Sequence, residues 1–228
     1  SVAGSAISTG ISRWLMFLAL MVLACAALRP HLRTWRVDSL RARALGRMLA
    51  IGVPIGFQQV LEVGAFGTIG LLMGLFGTTQ VAAHQIAIQL ASLTFMVPVG
   101  ISTAAAVRVG HAIGARESDR ARRAARVAFL CGVGFMSLTA LLFLSAPVWL
   151  ARLFTGDARV IALAALLIPV AGVFQVFDGI QAVAAGVLRG IGDTRAPLVA
   201  MLVGYWLLGL PVSLYFGFRT SAGPIGLW

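Results

Sequence analysis

Two acidic residues, Glu62 and Asp178, lie inside long apolar stretches of the sequence. A carboxylate surrounded by hydrocarbon is costly unless it faces a partner, water or a bound molecule, so such a residue marks a functional site by default. Amide side chains accompany both acids: Gln58 and Gln59 precede Glu62, and Gln175 and Gln181 flank Asp178. At 100° per residue, each acid shares one helical face with its amides. Such oxygens would hold a proton, Na⁺ or an organic cation.

The elements that carry these residues are predicted to be membrane-spanning helices. Hydrophobic residues make up 60% and charged residues 11% of the 228 residues, whereas soluble domains carry about 25% charged residues. Apolar stretches lie at about 11–28, 48–76, 80–107, 127–151, 160–188 and 196–218. All but the first clearly reach the roughly 20 residues that a helix needs to cross a bilayer. Because lipid leaves backbone groups unpaired, the spans must be helical, and we predict an all-α, polytopic membrane protein.

The arginines give this protein an orientation. Six of the 18 basic residues lie in residues 29–47 and six in residues 108–126. By the positive-inside rule both segments are cytoplasmic. We expect their charge to contact anionic membrane lipids rather than nucleic acid, and we predict a short amphipathic helix near Asp38 and Ser39.

The estimated depths of the two acids in the membrane favour one shared site. Glu62 follows Arg47 by 15 residues and Asp178 precedes Arg189 by 11 residues, which places them roughly 22 Å and 16 Å from the inner edge at a rise of about 1.5 Å per residue. The sequence places no Lys or Arg at that depth to neutralise them. The alternative is that each acid ties helices together or pairs with an inner arginine such as Arg108.

Six short segments add a further pattern. They are IGVP at 51–54 with the polar set ending at Glu62, AHQI at 83–86, FMVPVG at 95–100, RVG at 108–110, FQVFDGIQ at 174–181 and LRGIGDT at 188–194. In order and spacing they resemble the multidrug and toxic compound extrusion (MATE) transporters, in the NorM-like branch. The resemblance implies a twelve-helix protein of two lobes, without a cofactor and not an enzyme. It would export cationic or lipophilic compounds in exchange for Na⁺ or H⁺ by alternating access.

The resemblance also assigns the parts of the chain. Residues 1–28 would be the last helix of the N-terminal lobe, residues 29–47 a basic cytoplasmic inter-lobe loop, and residues 48–228 a C-terminal lobe of five helices, truncated before the last. The coupling cation, with Na⁺ as one candidate, would bind Glu62 and Asp178. We expect the substrate cavity to be lined by Gln58, Gln59, Phe66, Gln89, Phe174, Gln175 and Gln181.

Further expectations concern the cell and the partners. We expect a multi-pass protein of the bacterial inner membrane, a monomer, whose missing N-terminal lobe is needed for transport. His84, near the outer interface, is expected to be a hydrogen-bonded structural residue. A signal peptide is an alternative for the apolar run after Arg13, which ends in small residues.

Two other functions stay open. A flippase for lipid-linked saccharides, from the same superfamily, would need cavity arginines for phosphates. An intramembrane aspartyl protease is suggested by the GIGD sequence that ends at Asp193. That acid lies at the membrane edge, where a role in a turn and helix cap is the simpler interpretation.

Overall fold

The computed structural model describes residues 2–32, 42–220 and 223–228. The amphipathic helix predicted near Asp38 and Ser39 lies outside the described residues. The chain divides into two compact units, Ser1–Leu49 and Ala50–Trp228. All the predicted site residues belong to the second unit.

The first unit contains helix α1, Val2–Leu32. Its apolar part, Ile7–Cys25, is long enough to cross a membrane. Large apolar side chains such as Trp14 and Val22 are mostly exposed, at 67% and 73%, as expected of a surface that contacts lipid or other helices.

The other helices follow in chain order. They are α2 Ala42–Gly74, α3 Thr78–Gly114, α4 Ser118–Ser145, α5 Pro147–Arg152, α6 Ala158–Gly190, α7 Arg195–Met201, a π-helix Leu202–Gly209, α8 Leu210–Arg219 and a 3₁₀ turn Gly223–Leu227. The described ranges contain no strand. These described residues include six candidate spans, the last being Arg195–Arg219, which combines α7, the π-helix and α8. The predicted all-α fold with six spans is confirmed.

Helix α6 is the centre of the second unit. It packs most extensively against α3 and next against α4. Its N-terminal half joins α3 and α5 in an apolar cluster that includes Leu90, Leu150 and Leu167. Nearer its end, Val183 packs with Ala105 of α3 and Ala128 of α4. The acid on α6 is therefore held by a helix with buried neighbours over most of its length.

Aspartates cap two of these helices. The Asp157 side chain accepts a hydrogen bond from the Arg159 N–H at 2.8 Å at the start of α6. Asp193 accepts from the N–H groups of Arg195 and Ala196, both at 3.0 Å, at the start of α7. Asp193 thus has the cap role that its sequence context indicates, and the protease interpretation loses its proposed catalytic acid.

We expect Asp193→Ala to destabilise the protein by about 1 kcal/mol, because two N–H groups at the start of α7 lose their acceptor. The measurement is thermal unfolding of the purified protein in detergent. Asp193→Asn is the matched control, since its side-chain oxygen still accepts these hydrogen bonds. Equal losses in the two variants would show that the charge, and not the cap, stabilises this turn.

Candidate functional site

A cavity of about 850 Å³ lies between α2, α3 and α6. Its wall contains eight of the nine residues that the sequence predicted: Gln58, Gln59, Glu62, Phe66, Phe174, Gln175, Asp178 and Gln181. The helical spacing thus brings both acids and four amides to one space.

A second cavity, of about 340 Å³, lies beside the first. Its wall is formed by α2, α6 and the sixth span, and it shares Phe66, Phe174, Asp178 and Gln181 with the larger cavity. Asp178 therefore borders both spaces, whereas Glu62 borders only the larger one.

The two acids have different surroundings. Asp178 is 7% exposed, and its Oδ1 accepts a hydrogen bond from the Tyr205 hydroxyl at 2.7 Å. Glu62 is half-buried and makes neither a hydrogen bond nor an ion pair with another residue in the parts of the chain described. Both carboxyl groups line the larger cavity. The carboxylate of Glu62 and the second oxygen of Asp178 are thus available for a cation.

The other described acids lie at the N-terminal ends of helices. Asp157 and Asp193 are caps, and on α4 Arg120 lies 2.6 Å from Glu117 and Arg122 lies 4.0 Å from Asp119. Among the residues that the structure describes, neither Glu62 nor Asp178 has an arginine within 4.0 Å. The two cavity acids are therefore not explained by ion pairs, which removes Arg108 as their suggested partner.

Two of the amides have identifiable partners. Gln58, 5% exposed, donates from Nε2 to the Thr194 carbonyl at 2.9 Å and so ties α2 to the turn before α7. The Thr94 hydroxyl on α3 donates to Oε1 of Gln175. The Nε2 of Gln175 is buried and has no hydrogen-bond partner among the described residues. Because an unpaired buried donor costs about 1–3 kcal/mol, the wall at Gln175 favours contact with an acceptor.

Gln89 is the exception among the predicted residues. It is exposed and lines neither cavity. Gln85 and Met96 of the same helix do line the larger cavity, and at 100° per residue Gln89 lies only about 20° beyond Met96 around the helix. Gln89 is therefore just past the edge of the face that α3 gives to the cavity, so the prediction that it lines the cavity is corrected.

Aromatic rings form one side of the site. The ring centroids of Phe66 and Phe174 are 6.0 Å apart in an edge-to-face arrangement, and Phe66 lies 6.0 Å from Tyr205. Aromatic faces attract organic cations and also contact apolar groups. The wall thus combines carboxylates, amides and aromatic surface around one space.

Sequence reasoning missed Tyr205 and misplaced Arg189. Tyr205 is one of only two tyrosines, and a polar ring tip inside an apolar span was the signal that could have found it. Arg189 was assigned to the inner edge, yet it lines the larger cavity. Its guanidinium donates to the Ala185 carbonyl at 3.1 Å and to the Ser102 hydroxyl at 3.4 Å. A positive charge therefore lies at one end of the cavity.

His84 is held as a structural residue would be. It is 3% exposed, and its Nδ1 accepts a hydrogen bond from the Trp228 indole N–H at 2.9 Å. Both side chains also line the two cavities, so this hydrogen-bonded pair is part of both walls.

The fold and site define a class: a helical, multi-pass membrane protein with a partly polar cavity that contains two acids. Comparison with known families agrees, since the MatE family model matches residues 54–215. The chain belongs to the MatE family, whose members are transporters and not enzymes. The predicted resemblance is confirmed.

Curated relatives of this chain have names that fit the family, and each relative is about twice as long as the part that aligns. A protein of Mesorhizobium japonicum named "Probable multidrug resistance protein NorM" is 42% identical over 100% of this chain and 50% of its own length. The "Multidrug resistance protein NorM" of Burkholderia vietnamiensis is 40% identical over 99% of this chain and 50% of its length. The chain spans about half the length of the curated relatives it matches.

Two solved structures share the fold. The eukaryotic MATE transporter AtDTX14 matches with a TM-score of 0.87 at 23% identity, covering 99% of this chain and 51% of that one. A MOP superfamily transporter from Pyrococcus furiosus matches with a TM-score of 0.71 at 18% identity, covering 79% and 40%. At these identities the likeness concerns the fold alone.

Proposed function

We propose that this chain is part of a multidrug efflux transporter that exports cationic or lipophilic compounds in exchange for Na⁺ or H⁺. The observation that carries the proposal is the pair of acids, Glu62 and Asp178, on one cavity with an aromatic wall. The names of the relatives, multidrug resistance proteins, support the same activity.

The geometry supports competition between ion and cargo. Asp178 has one oxygen bound to Tyr205 and Glu62 faces it across the cavity, so a proton or Na⁺ held by the two carboxylates occupies the place that a cationic cargo needs. Amide oxygens of Gln59 and Gln181 in the same wall would complete the oxygen ligands that Na⁺ prefers. Phe66 and Phe174 would bind the apolar part of the cargo. Ion binding from one side of the membrane would therefore release cargo, and cargo binding from the other side would release the ion.

The proposal includes the surroundings of the chain. Residues 1–28 would be a helix of an N-terminal lobe, residues 29–47 a cytoplasmic connection, and residues 48–228 most of a C-terminal lobe. A monomer in the bacterial inner membrane, with the N-terminal lobe as the partner that completes the cavity, would allow the two lobes to rock. The 228 residues alone are then expected not to transport.

The experiment uses the full-length protein in proteoliposomes loaded with tetraphenylphosphonium, a lipophilic cation, under separately imposed Na⁺ and pH gradients. We expect one gradient to drive movement of the probe against its own gradient and an ionophore for that ion to stop it. The proposal is wrong if neither gradient moves the probe while protein-free and protein-containing vesicles are equally tight.

Arg189 supports a second candidate function. A lipid-linked saccharide flippase needs cationic groups for a pyrophosphate, and Arg189 supplies one at the cavity wall. Its guanidinium is already bonded to Ala185 and Ser102, so we place the flippase second. Saturable binding of a lipid pyrophosphate, lost in Arg189→Gln, would reverse this order.

A further inference from the structure

The sixth span is interrupted by a π-helix, Leu202–Gly209, between α7 and α8. Its wider turn is visible where the Leu210 N–H donates to the Tyr205 carbonyl, five residues earlier. Pro211 follows in the first turn of α8, and because proline has no backbone N–H it cannot donate the α-helical hydrogen bond at this position. π-Helical turns are rare and occur frequently at functional sites.

The π-helix aims two consecutive side chains at two different helices. The Tyr205 hydroxyl donates to Asp178 of α6 at 2.7 Å, while the Trp206 indole N–H donates to the Leu61 carbonyl of α2 at 3.1 Å. Leu61 precedes the other cavity acid, Glu62. This one turn of the sixth span is therefore bonded to the two helices that carry the acids.

One glycine is required for this shape. A Cβ added to Gly209 would lie 2.8 Å from the Gly204 carbonyl oxygen, which is backbone and has little room to move, whereas a Cβ added to Gly204 meets nothing within 4 Å. The same substitution is therefore disruptive at one glycine of the π-helix and harmless at the other.

We infer that Tyr205 is a positioning residue for the coupling-ion site, and that the π-helix is what places its hydroxyl on Asp178. The inference rests on the proposed ion-coupled transport. The hydroxyl has a single proton and gives it to Oδ1 of Asp178, so it fixes the rotamer of the carboxylate and leaves the other oxygen for the ion. Without it the carboxylate rotates freely, and the ion must order the side chain when it binds.

The test measures efflux of tetraphenylphosphonium from proteoliposomes by the full-length protein as the driving ion is varied. Tyr205→Phe is expected to raise the half-saturating ion concentration by about two- to tenfold, the range expected when ion binding must also order one freed side chain. The rate at saturating ion should stay within about twofold, because the acid itself remains. Gly209→Ala keeps the hydroxyl but moves it, and should produce the same shift, while Gly204→Ala should leave the wild-type curve.

The outcomes separate this inference from the proposed function. If Tyr205→Phe keeps the wild-type ion dependence while Asp178→Asn abolishes transport, Tyr205 is not a positioning residue and the proposed function stands. If Asp178→Asn also transports normally, the proposed function fails. Should Gly209→Ala not fold, Pro211→Ala replaces it, because the restored N–H allows an α-helical turn. A normal ion dependence in the folded variant would overturn the role of the π-helix.

Discussion

Asp178→Asn is expected to abolish ion-driven efflux while the protein stays folded. The asparagine has the volume of aspartate and its oxygen still accepts from the Tyr205 hydroxyl, so the bond between α6 and the sixth span is kept. What is lost is the charge that the coupling ion needs in a cavity of low dielectric constant. Removing one member of a buried charge interaction costs about 2–5 kcal/mol, which corresponds to roughly 30-fold to 4,000-fold in ion affinity.

Glu62→Gln tests the other half of the site. Glu62 lines the same cavity as Asp178, so we expect its loss to weaken ion coupling as well. It borders only the larger cavity, and the substituted amide would join an existing group of glutamines there. The measurement is the rate of tetraphenylphosphonium efflux under the driving ion gradient, with binding of the probe to the detergent-solubilised protein measured in parallel.

Asp193→Asn is the matched control for both variants. It removes a carboxylate from the second unit but from a helix cap that lines neither cavity. We expect wild-type transport in this variant. If all three variants transport equally well, the cavity acids are structural and the assignment of the coupling ion to them is wrong.

The fold could be predicted because the bilayer leaves few choices. A 20-residue apolar run must be helical in hydrocarbon, so the runs at 80–107 and 160–188 had to become helices, and the structure has them as α3 and α6, each extended at its ends. The extensions carry polar or charged residues such as His111 and Arg189, which hydropathy assigns to loops. Composition therefore located the spans and underestimated their lengths.

The site could be predicted as far as α-helical periodicity holds. Asp178 and its glutamines lie on regular parts of α6, and the 100° step placed them on one wall. Tyr205 lies on a π-helix, where that step does not apply, so its contact with Asp178 could not be read from spacing. Arg189 was misplaced because a helical side chain points back towards the N-terminus, which carries its guanidinium to Ala185 and Ser102.

Gly186→Ala is expected to be the most destabilising single-methyl change in the second unit. A Cβ at this position of α6 would clash with the carbonyl oxygen and the hydroxyl oxygen of Ser102 of α3. Nearby, a Cβ at Gly190 would lie 2.8 Å from the Ala106 carbonyl oxygen. The two helices are thus in backbone contact along this end, a packing that small residues permit in membrane proteins.

The added methyl group must push the helices apart, because the nearest atoms belong to backbone. Overpacking of this kind typically costs about 1–3 kcal/mol. It would also stretch the hydrogen bond from the Ser102 hydroxyl to the Ala182 carbonyl, now 2.7 Å, and move Ser102 away from Arg189. We therefore expect a lower unfolding temperature and a smaller monodisperse fraction in detergent.

Gly100→Ala on α3 is the control, since a Cβ there meets nothing within 4 Å. Alanine is about 1 kcal/mol better than glycine inside a helix, so this variant should be as stable as the wild type or more so. If Gly186→Ala matches it, α3 and α6 are not in backbone contact. If only Gly186→Ala unfolds early, close approach of α3 and α6 contributes to the stability of the second unit.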